Sequence, residues 1–86
     1  MNDLDRFTPG QLHDLHVSAC SRAGLLYTRA GHLMTRMIYG DLQPGVYAGV
    51  QQRYAILKAA ADESAGLADA VGAEITRRGT EQAAQS

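Results

Sequence analysis

The chain has 86 residues and a formal net charge of −1, from eight Lys and Arg against nine Asp and Glu. This length fits one small domain, and the near-zero charge excludes the strongly basic character that is typical of proteins bound to nucleic acid or to anionic membranes. A single cysteine, Cys20, excludes an intrachain disulfide framework, and no apolar run approaches the ~20 residues of a membrane span.

The residues before the first helix form a complete N-terminal capping signal. Residues 1–6 are predicted to form a frayed arm, which is acidic, lacks an apolar core and therefore does not read as a secretory signal peptide. Thr8 follows as the N-cap, Pro9 takes the first helical position, and Gln11 closes a capping box. The pattern predicts a helix over residues 9–39, about 45 Å long.

Apolar residues along this helix alternate four and three apart, which is the heptad spacing of a packing seam. A neighbouring column of His13, Cys20, Tyr27 and Met34 widens the apolar stripe. A wide stripe suits a helix with two neighbours, as in a four-helix bundle. The first seam consists of Leu12, His16, Ala19, Ala23, Leu26, Ala30, Leu33 and Met37.

A short break at residues 40–44 separates the two helical patterns. Gly40 is expected to end the first helix as a C′ glycine, and Asp41 to cap the second. Pro44 is tolerated because it falls in the first turn of the new helix. So few connecting residues force the helices to run antiparallel. Tyr39, Tyr47 and Tyr54 surround the turn, where packing at the hairpin tip is favoured over an exposed binding patch.

The second helix is predicted over residues 44–78, with Gly79 as its stop. This gives a helical-hairpin domain over residues 1–79 and a flexible polar tail over residues 80–86. Acidic residues, including Glu74, are expected on its outer half. Val46, Ala60 and Leu67 form its widening column. The second seam consists of Tyr47, Val50, Tyr54, Leu57, Ala61, Ser64, Ala68, Val71 and Ile75.

Two helices alone cannot enclose a core, because each exposes a flank of its own stripe. Many seam residues are alanines, which bury little apolar surface. We therefore expect the hairpin to pair with a second copy or with a similar hairpin, forming a four-helix bundle.

One cluster has the spacing of metal ligands. His13, His16 and Cys20 are three and four residues apart and share a helical face. His32 lies too far along the helix to complete a tetrahedral set, so packing in and beside the seam is the favoured interpretation. We accordingly expect no metal and no other cofactor.

Other candidate chemistry has simpler explanations. The acids of the second helix are expected on a solvated face rather than in a shared catalytic pocket. An arginine ladder of Arg22, Arg29 and Arg36 lacks the interleaved aromatics of a nucleic-acid stripe, and a ladder that is either solvated or paired with acids across the hairpin is favoured. The sequence thus predicts no catalytic residues and no nucleic-acid or membrane partner.

In layout, nearly the whole chain resembles the W-x-G type small helical-hairpin proteins of type VII secretion. Tyr39-Gly40 stands where that family has Trp-x-Gly, and residues 75–79 stand where it has Tyr-x-x-x-Asp/Glu, with neither motif matched. The resemblance implies an antiparallel four-helix dimer that is exported folded without a signal peptide, or that helps to carry a larger secreted effector. It also implies that the helix seams carry dimerisation and that Tyr39, Gly40 and the C-terminal tail are the parts that are recognised.

The sequence therefore predicts an all-α antiparallel hairpin that acts as a non-enzymatic protein-interaction module, cytoplasmic before any export. One alternative is a cytosolic homodimeric adaptor or regulator that binds a larger protein through a helix face. A metal-binding bundle built on His13, His16 and Cys20 is the other.

Overall fold

The computed structural model describes the backbone of residues 3–85 and the side chains of residues 4–83. A short 3-10 helix at Asp3–Arg6 leads into α1, Pro9–Tyr39, and then α2, Pro44–Gln85. Contacts between the helices pair His16 with Ala68 and Tyr27 with Asp62, so the helices run antiparallel. The predicted all-α hairpin is confirmed, whereas its pairing into a four-helix bundle stays a prediction.

The start of α1 is built as its sequence predicts. Thr8 has extended backbone, and its hydroxyl accepts a hydrogen bond from the Gln11 N–H at 3.1 Å. The Gln11 side chain in turn accepts from the Thr8 N–H at 2.9 Å. Two N–H groups that the helix leaves without intrahelical partners are thereby satisfied.

The turn forms where it was predicted, but its backbone conformation and its capping differ from the prediction. Gly40 ends α1, but as an extended C-cap with φ −79°, not as a left-handed C′ residue. Its N–H donates to the Arg36 carbonyl at 2.8 Å, and a Cβ on residue 40 would overlap that same oxygen. Glycine is therefore required here by close approach. Asp41 does not cap α2, since the helix begins at Pro44 and the preceding Gln43 carbonyl accepts from the Tyr47 N–H at 2.8 Å.

The core between the helices is narrow and rich in alanine. Every residue of the first seam is buried or half-buried, whereas Tyr47 and Ile75, at the two ends of the second seam, remain exposed. Leu12 and Val71 are the largest side chains that are fully buried. The buried apolar residues are Leu12, Ala19, Ala23, Ala30, Val50, Ala61, Ala68 and Val71. Small residues at alternate layers bring the two helices close together but leave their flanks uncovered.

The predicted end of the second helix at residue 78 is wrong. α2 continues through Gly79 to Gln85, stabilised by an Arg77–Glu81 ion pair at 2.7 Å one turn apart. Gly79 also lines a cleft beside Leu12, at the end of the hairpin away from the turn, which we call the open end. The start of α1 therefore lies beside α2 at the point where the helix continues. The flexibility assigned to residues 80–86 stays a prediction, and Ser86 lies outside the described residues.

The N-terminal arm is also more ordered than expected. The 3-10 helix at Asp3–Arg6 is fastened to α2 by Arg78, whose guanidinium donates to the Leu4 carbonyl at 2.9 Å and to the Phe7 carbonyl at 2.7 Å. Residues 1–2 of the predicted arm lie outside the described part of the chain. The arm and the extended α2 therefore form one end of the hairpin.

Candidate interaction surface

One broad side of the hairpin carries two grooves between α1 and α2. The groove nearer the open end has a volume of about 570 Å³ and is bounded by residues including Leu15, Arg22, Glu63 and Leu67. The groove nearer the turn, of about 490 Å³, is bounded by residues including Arg29, His32, Arg53 and Ile56. Residues of the two grooves are related by steps of seven, such as Arg22 to Arg29 and Ile56 to Glu63, so they lie on one side of each helix. We call this side the grooved face: Leu15, Ser18, Arg22, Leu25, Arg29, His32, Arg36, Arg53, Ile56, Ala60, Glu63 and Leu67.

The grooved face exposes large aliphatic side chains on both helices. Leu25 lies midway between Ser18 and His32 in the same column and is 54% exposed, and Ile56 is 62% exposed. Leu67 is exposed on the open-end groove. The floor of the groove nearer the open end consists of small residues, Ala19, Ala60 and Ser64, whereas Leu33 and Leu57 line the groove nearer the turn. Bulky exposed side chains beside a small-residue floor form a surface that a helix can pack against.

The opposite side of the hairpin is more polar across the two helices. The Tyr27 hydroxyl donates a hydrogen bond to Asp62, which also pairs with Lys58 at 3.2 Å. The hydrogen bond to the carboxylate raises the pKa of Tyr27, and the same bond, followed by that from Lys58, lowers the pKa of Asp62. This contact ties α1 to α2 directly across the hairpin.

The widening columns predicted for the two helices therefore do not form one surface. Tyr27, from the column of α1, lies on the side of Asp62, whereas Ala60 and Leu67, from the column of α2, line the grooved face. Leu15 and Leu25, which the heptad reading of α1 left out, supply its apolar contribution to that face. Only the relative rotation of two packed helices could reveal this, because each column is equally plausible on an isolated helical wheel.

Within the candidate metal cluster, His16 contacts both the second helix and Cys20. One ring nitrogen of His16, Nδ1, lies 3.1 Å from the Ala68 carbonyl oxygen, and the other, Nε2, lies 3.7 Å from the Cys20 sulfur. Within residues 4–83, no three His, Cys, Asp or Glu side chains come together as metal ligands. His16 thus links the two helices within the seam, as the packing interpretation requires.

The tip of the hairpin exposes a second apolar patch. Tyr39 is 83% exposed and its neighbour Ile38 is also well exposed, while Val46 and Tyr47 are exposed at the start of α2. Tyr54 is half-buried. Core packing at the tip therefore accounts for Tyr54 but not for Tyr39, the residue proposed for recognition.

An ion-pair cluster that sequence reasoning missed lies at the open end. Glu74, expected on an outer face, is only 3% exposed. It accepts from Arg77 and, at 2.9 Å, from Arg78, so that Arg77 first and Arg78 second lower its pKa to about 2. Arg77 also reaches Asp5 at 3.4 Å. The available signal was the spacing of Glu74 to Arg77 and Arg78, three and four residues later, which places both guanidinium groups beside the carboxylate on a helix.

Within residues 4–83 the arginine ladder is solvated, which is one of the two favoured alternatives, and it makes no ion pair across the hairpin. Arg22, Arg29 and Arg36 are all exposed, and within residues 4–83 the ion pairs belong to Lys58, Arg77 and Arg78. Arg22 and Glu63 border the same groove without pairing. The ladder therefore contributes free positive charge along the grooved face.

Two further findings bear on the kind of protein this is. Within the described part of the chain, neither helix has a stretch long and apolar enough to cross a membrane. No protein-family model, no curated protein and no solved structure matches the chain.

Proposed function

We propose that this protein is a non-enzymatic protein-interaction module whose grooved face binds another helical protein. The observation that carries the proposal is the exposure of Leu25, Ile56 and Leu67 along two grooves, of which the one nearer the open end has a small-residue floor. The core beneath is mostly alanine, so the hairpin buries little apolar surface by itself. A partner helix on this face would supply the missing burial.

The lowered pKa values of two acidic side chains support a non-enzymatic role. Among the carboxylates of residues 4–83, Glu74 is the most enclosed, and its two arginine partners hold it ionised with a pKa of about 2. A general acid or base works best with a pKa near the operating pH. The pKa of Asp62 is lowered as well, which keeps it a hydrogen-bond acceptor for Tyr27. Asp62 joins α2 to α1 through Tyr27, and Glu74 pairs with Arg78, which contacts the N-terminal arm.

Within this class, we propose a role like that of a small type VII secretion substrate or the helical partner of one. The support is the hairpin layout itself, with an exposed Tyr39 beside the turn glycine. Export is tested by expressing the chain in a bacterium with a type VII apparatus and comparing full-length protein with a deletion of residues 80–86. Full-length protein in the culture supernatant and loss on deletion are expected, and retention of both forms inside the cells refutes the secretion role.

The module itself is tested separately by photo-crosslinking in cells. A photoreactive amino acid at Leu25, on the grooved face, is expected to crosslink a specific protein. The matched control is the same amino acid at Val17, an aliphatic residue of α1 that is 49% exposed and away from the grooves. Specific crosslinks at residue 25 but not at residue 17 support the proposal, and equal or absent crosslinking at both positions contradicts it.

A cytosolic adaptor or regulator is the second candidate, favoured by the exposed tip. Ile38 and Tyr39 lie at one end of the long hairpin and would stay accessible with the grooved face occupied. Such a protein could therefore pair through its side and bind a larger protein through its tip. Replacing Tyr39 with serine is expected to remove that larger partner from pull-downs without changing the native mass, and an unchanged pull-down would contradict this role.

A further inference from the structure

The groove nearer the turn, which we call the turn-end groove, combines basic and aliphatic side chains. Within residues 4–83 no acidic side chain lines it, whereas the groove nearer the open end contains Glu63 beside Arg22. Each helix supplies an arginine and the two residues three and four positions after it, a spacing that directs all three side chains to one side of a helix. The lining residues are Arg29, His32 and Leu33 of α1, and Arg53, Ile56 and Leu57 of α2.

The positive charge of the turn-end groove is uncompensated within the described part of the chain. The side chains of Arg29, His32 and Arg53 make no hydrogen bond or ion pair within residues 4–83. Residues 24–60 contain four basic side chains and one acid, a net +3. That acid, Asp41, precedes α2, and Arg53 lies about 13 Å along the axis from the start of that helix. An anion in this groove would therefore be attracted with little opposing charge nearby.

Two of these side chains face each other across one end of the turn-end groove. The antiparallel register of the helices places His32 level with Arg53, and Arg29 level with Leu57. The end nearer the turn is thus bounded by a guanidinium on one helix and an imidazole on the other. A carboxylate between them could accept hydrogen bonds from both, and a guanidinium presents two N–H groups in the geometry that a carboxylate fits.

The remainder of the turn-end groove is aliphatic. Leu33 and Leu57 are half-buried, and Ile56 is 62% exposed beside them. Arg29 stands at the far end, where the methylene groups of its side chain can cover apolar surface. From Arg29 to Leu33 the groove extends about 6 Å along α1. Its volume of about 490 Å³ falls within the range of roughly 300–1,000 Å³ that is usual for small-molecule sites.

We propose that the turn-end groove binds a medium-chain aliphatic carboxylic acid. The carboxylate lies between His32 and Arg53, and the aliphatic chain lies over Leu33 and Leu57. The basic side chains select an anion, and the aliphatic lining selects one with an apolar body over a small inorganic ion. This inference goes beyond the proposed function, because the ligand binds the chain without any protein partner.

The first experiment uses octanoate as the probe, titrated into the purified isotope-labelled chain and followed by the chemical shifts of backbone amides. Octanoate is expected to bind with a dissociation constant on the order of 1 mM, with shifts concentrated in residues 29–33 and 53–57. Octanol lacks the charge and acetate lacks the chain, so each should bind at least about tenfold more weakly. The absence of octanoate binding overturns the inference, as does octanol or acetate binding equally well.

The second experiment removes the guanidinium. Arg53→Ala deletes a charge-assisted hydrogen-bond donor and is expected to weaken octanoate binding about tenfold. The matched control is Arg6→Ala, at an exposed arginine of the 3-10 helix at the open end, which should leave the affinity unchanged. Circular dichroism checks that both variants remain helical. Equal affinities for the two variants would overturn the proposed position of the carboxylate.

A protein partner is the competing occupant of the turn-end groove. A photoreactive amino acid at Ile56 that crosslinks a protein in cells, while octanoate fails to bind the purified chain, would assign the groove to that protein. The proposed function would then stand and the ligand site would be wrong. Octanoate binding that is weakened by Arg53→Ala, without any specific crosslink at residue 25, would support the ligand site and contradict the proposed function.

Discussion

Leu12 lies at the open end of the hairpin and is one of the largest side chains that are fully buried. It is completely buried, next to the capping box at the start of α1 and beside Ile75 and Gly79 of α2. We expect Leu12→Ala to lower the free energy of unfolding by about 2–4 kcal/mol. Alanine preserves the helix, so the loss reports packing and not helix propensity.

The magnitude follows from the atoms removed. Leu→Ala deletes three carbon atoms, worth ~0.8 kcal/mol each when buried, or about 2.4 kcal/mol together. The cavity left behind adds to this loss. An open cleft of about 220 Å³ already borders Leu12, so the end of α2 has room to shift and the cavity contribution stays modest. For a domain of this size the midpoint temperature should fall by roughly 10–25 °C.

The assay is urea unfolding followed by circular dichroism, at one protein concentration because any self-association adds to the apparent stability. Val17→Ala, at a site that is 49% exposed, is the matched control and should change the free energy of unfolding by less than about 0.5 kcal/mol. If Leu12→Ala behaves like the control, the open end is not packed as described and the reasoning is refuted.

Three further predictions test the polar contacts and the turn. The pKa of Glu74 is about 2 in the folded chain against an ordinary 4.5, so its stabilising effect is complete above pH 4.5 and is lost as the pH falls towards 2. In denaturation curves recorded across this pH range, Glu74→Gln should reduce the loss of unfolding free energy at low pH. An unaltered dependence of that free energy on pH would contradict the ion-pair account. Gly40→Ala should destabilise the fold by roughly 1–3 kcal/mol because its Cβ meets a backbone carbonyl. Gly66→Ala has open space around it and should stabilise the fold by roughly 0.5–1 kcal/mol. A higher melting temperature for Gly40→Ala than for Gly66→Ala would refute this. In a spectrophotometric titration of the tyrosines, Tyr27→Phe should remove the phenol whose pKa is raised. The same variant loses the hydrogen bond to Asp62, so its melting temperature should fall modestly. An unchanged titration curve would contradict this hydrogen bond.

Local signals predicted the parts of the fold that depend on neighbouring residues. The capping box needs only Thr8 and Gln11 at the correct spacing, and both of its hydrogen bonds form. The seam likewise follows from heptad spacing, and its first-helix members are all buried or half-buried. In the candidate interaction surface, Ala60 and Leu67 were recognisable as a column on α2, but their companions on α1 were not.

Signals that compete with tertiary contacts were misread. Gly79 resembles a helix stop, yet α2 passes through it because the helix packs beside α1 and gains the Arg77–Glu81 pair. Glu74 resembles a surface acid, yet two arginines compensate its burial. In both cases the ion pairs are local, three or four residues apart on α2, but the burial of this end depends on how α2 packs against α1 and the N-terminal arm.

The sequence by itself determined two helices, the turn between them and the residues of each helix that face the other, because capping, glycine and proline placement and heptad spacing act within a few residues. Only the tertiary structure decided how far one helix is rotated against the other. That rotation places Leu25 and Ile56 on one side and Tyr27 on the other, and it is set by how small residues such as Ala19 and Ala61 let the helices approach. Close packing of two whole surfaces is a property of their combined shape, and no window of the sequence contains it.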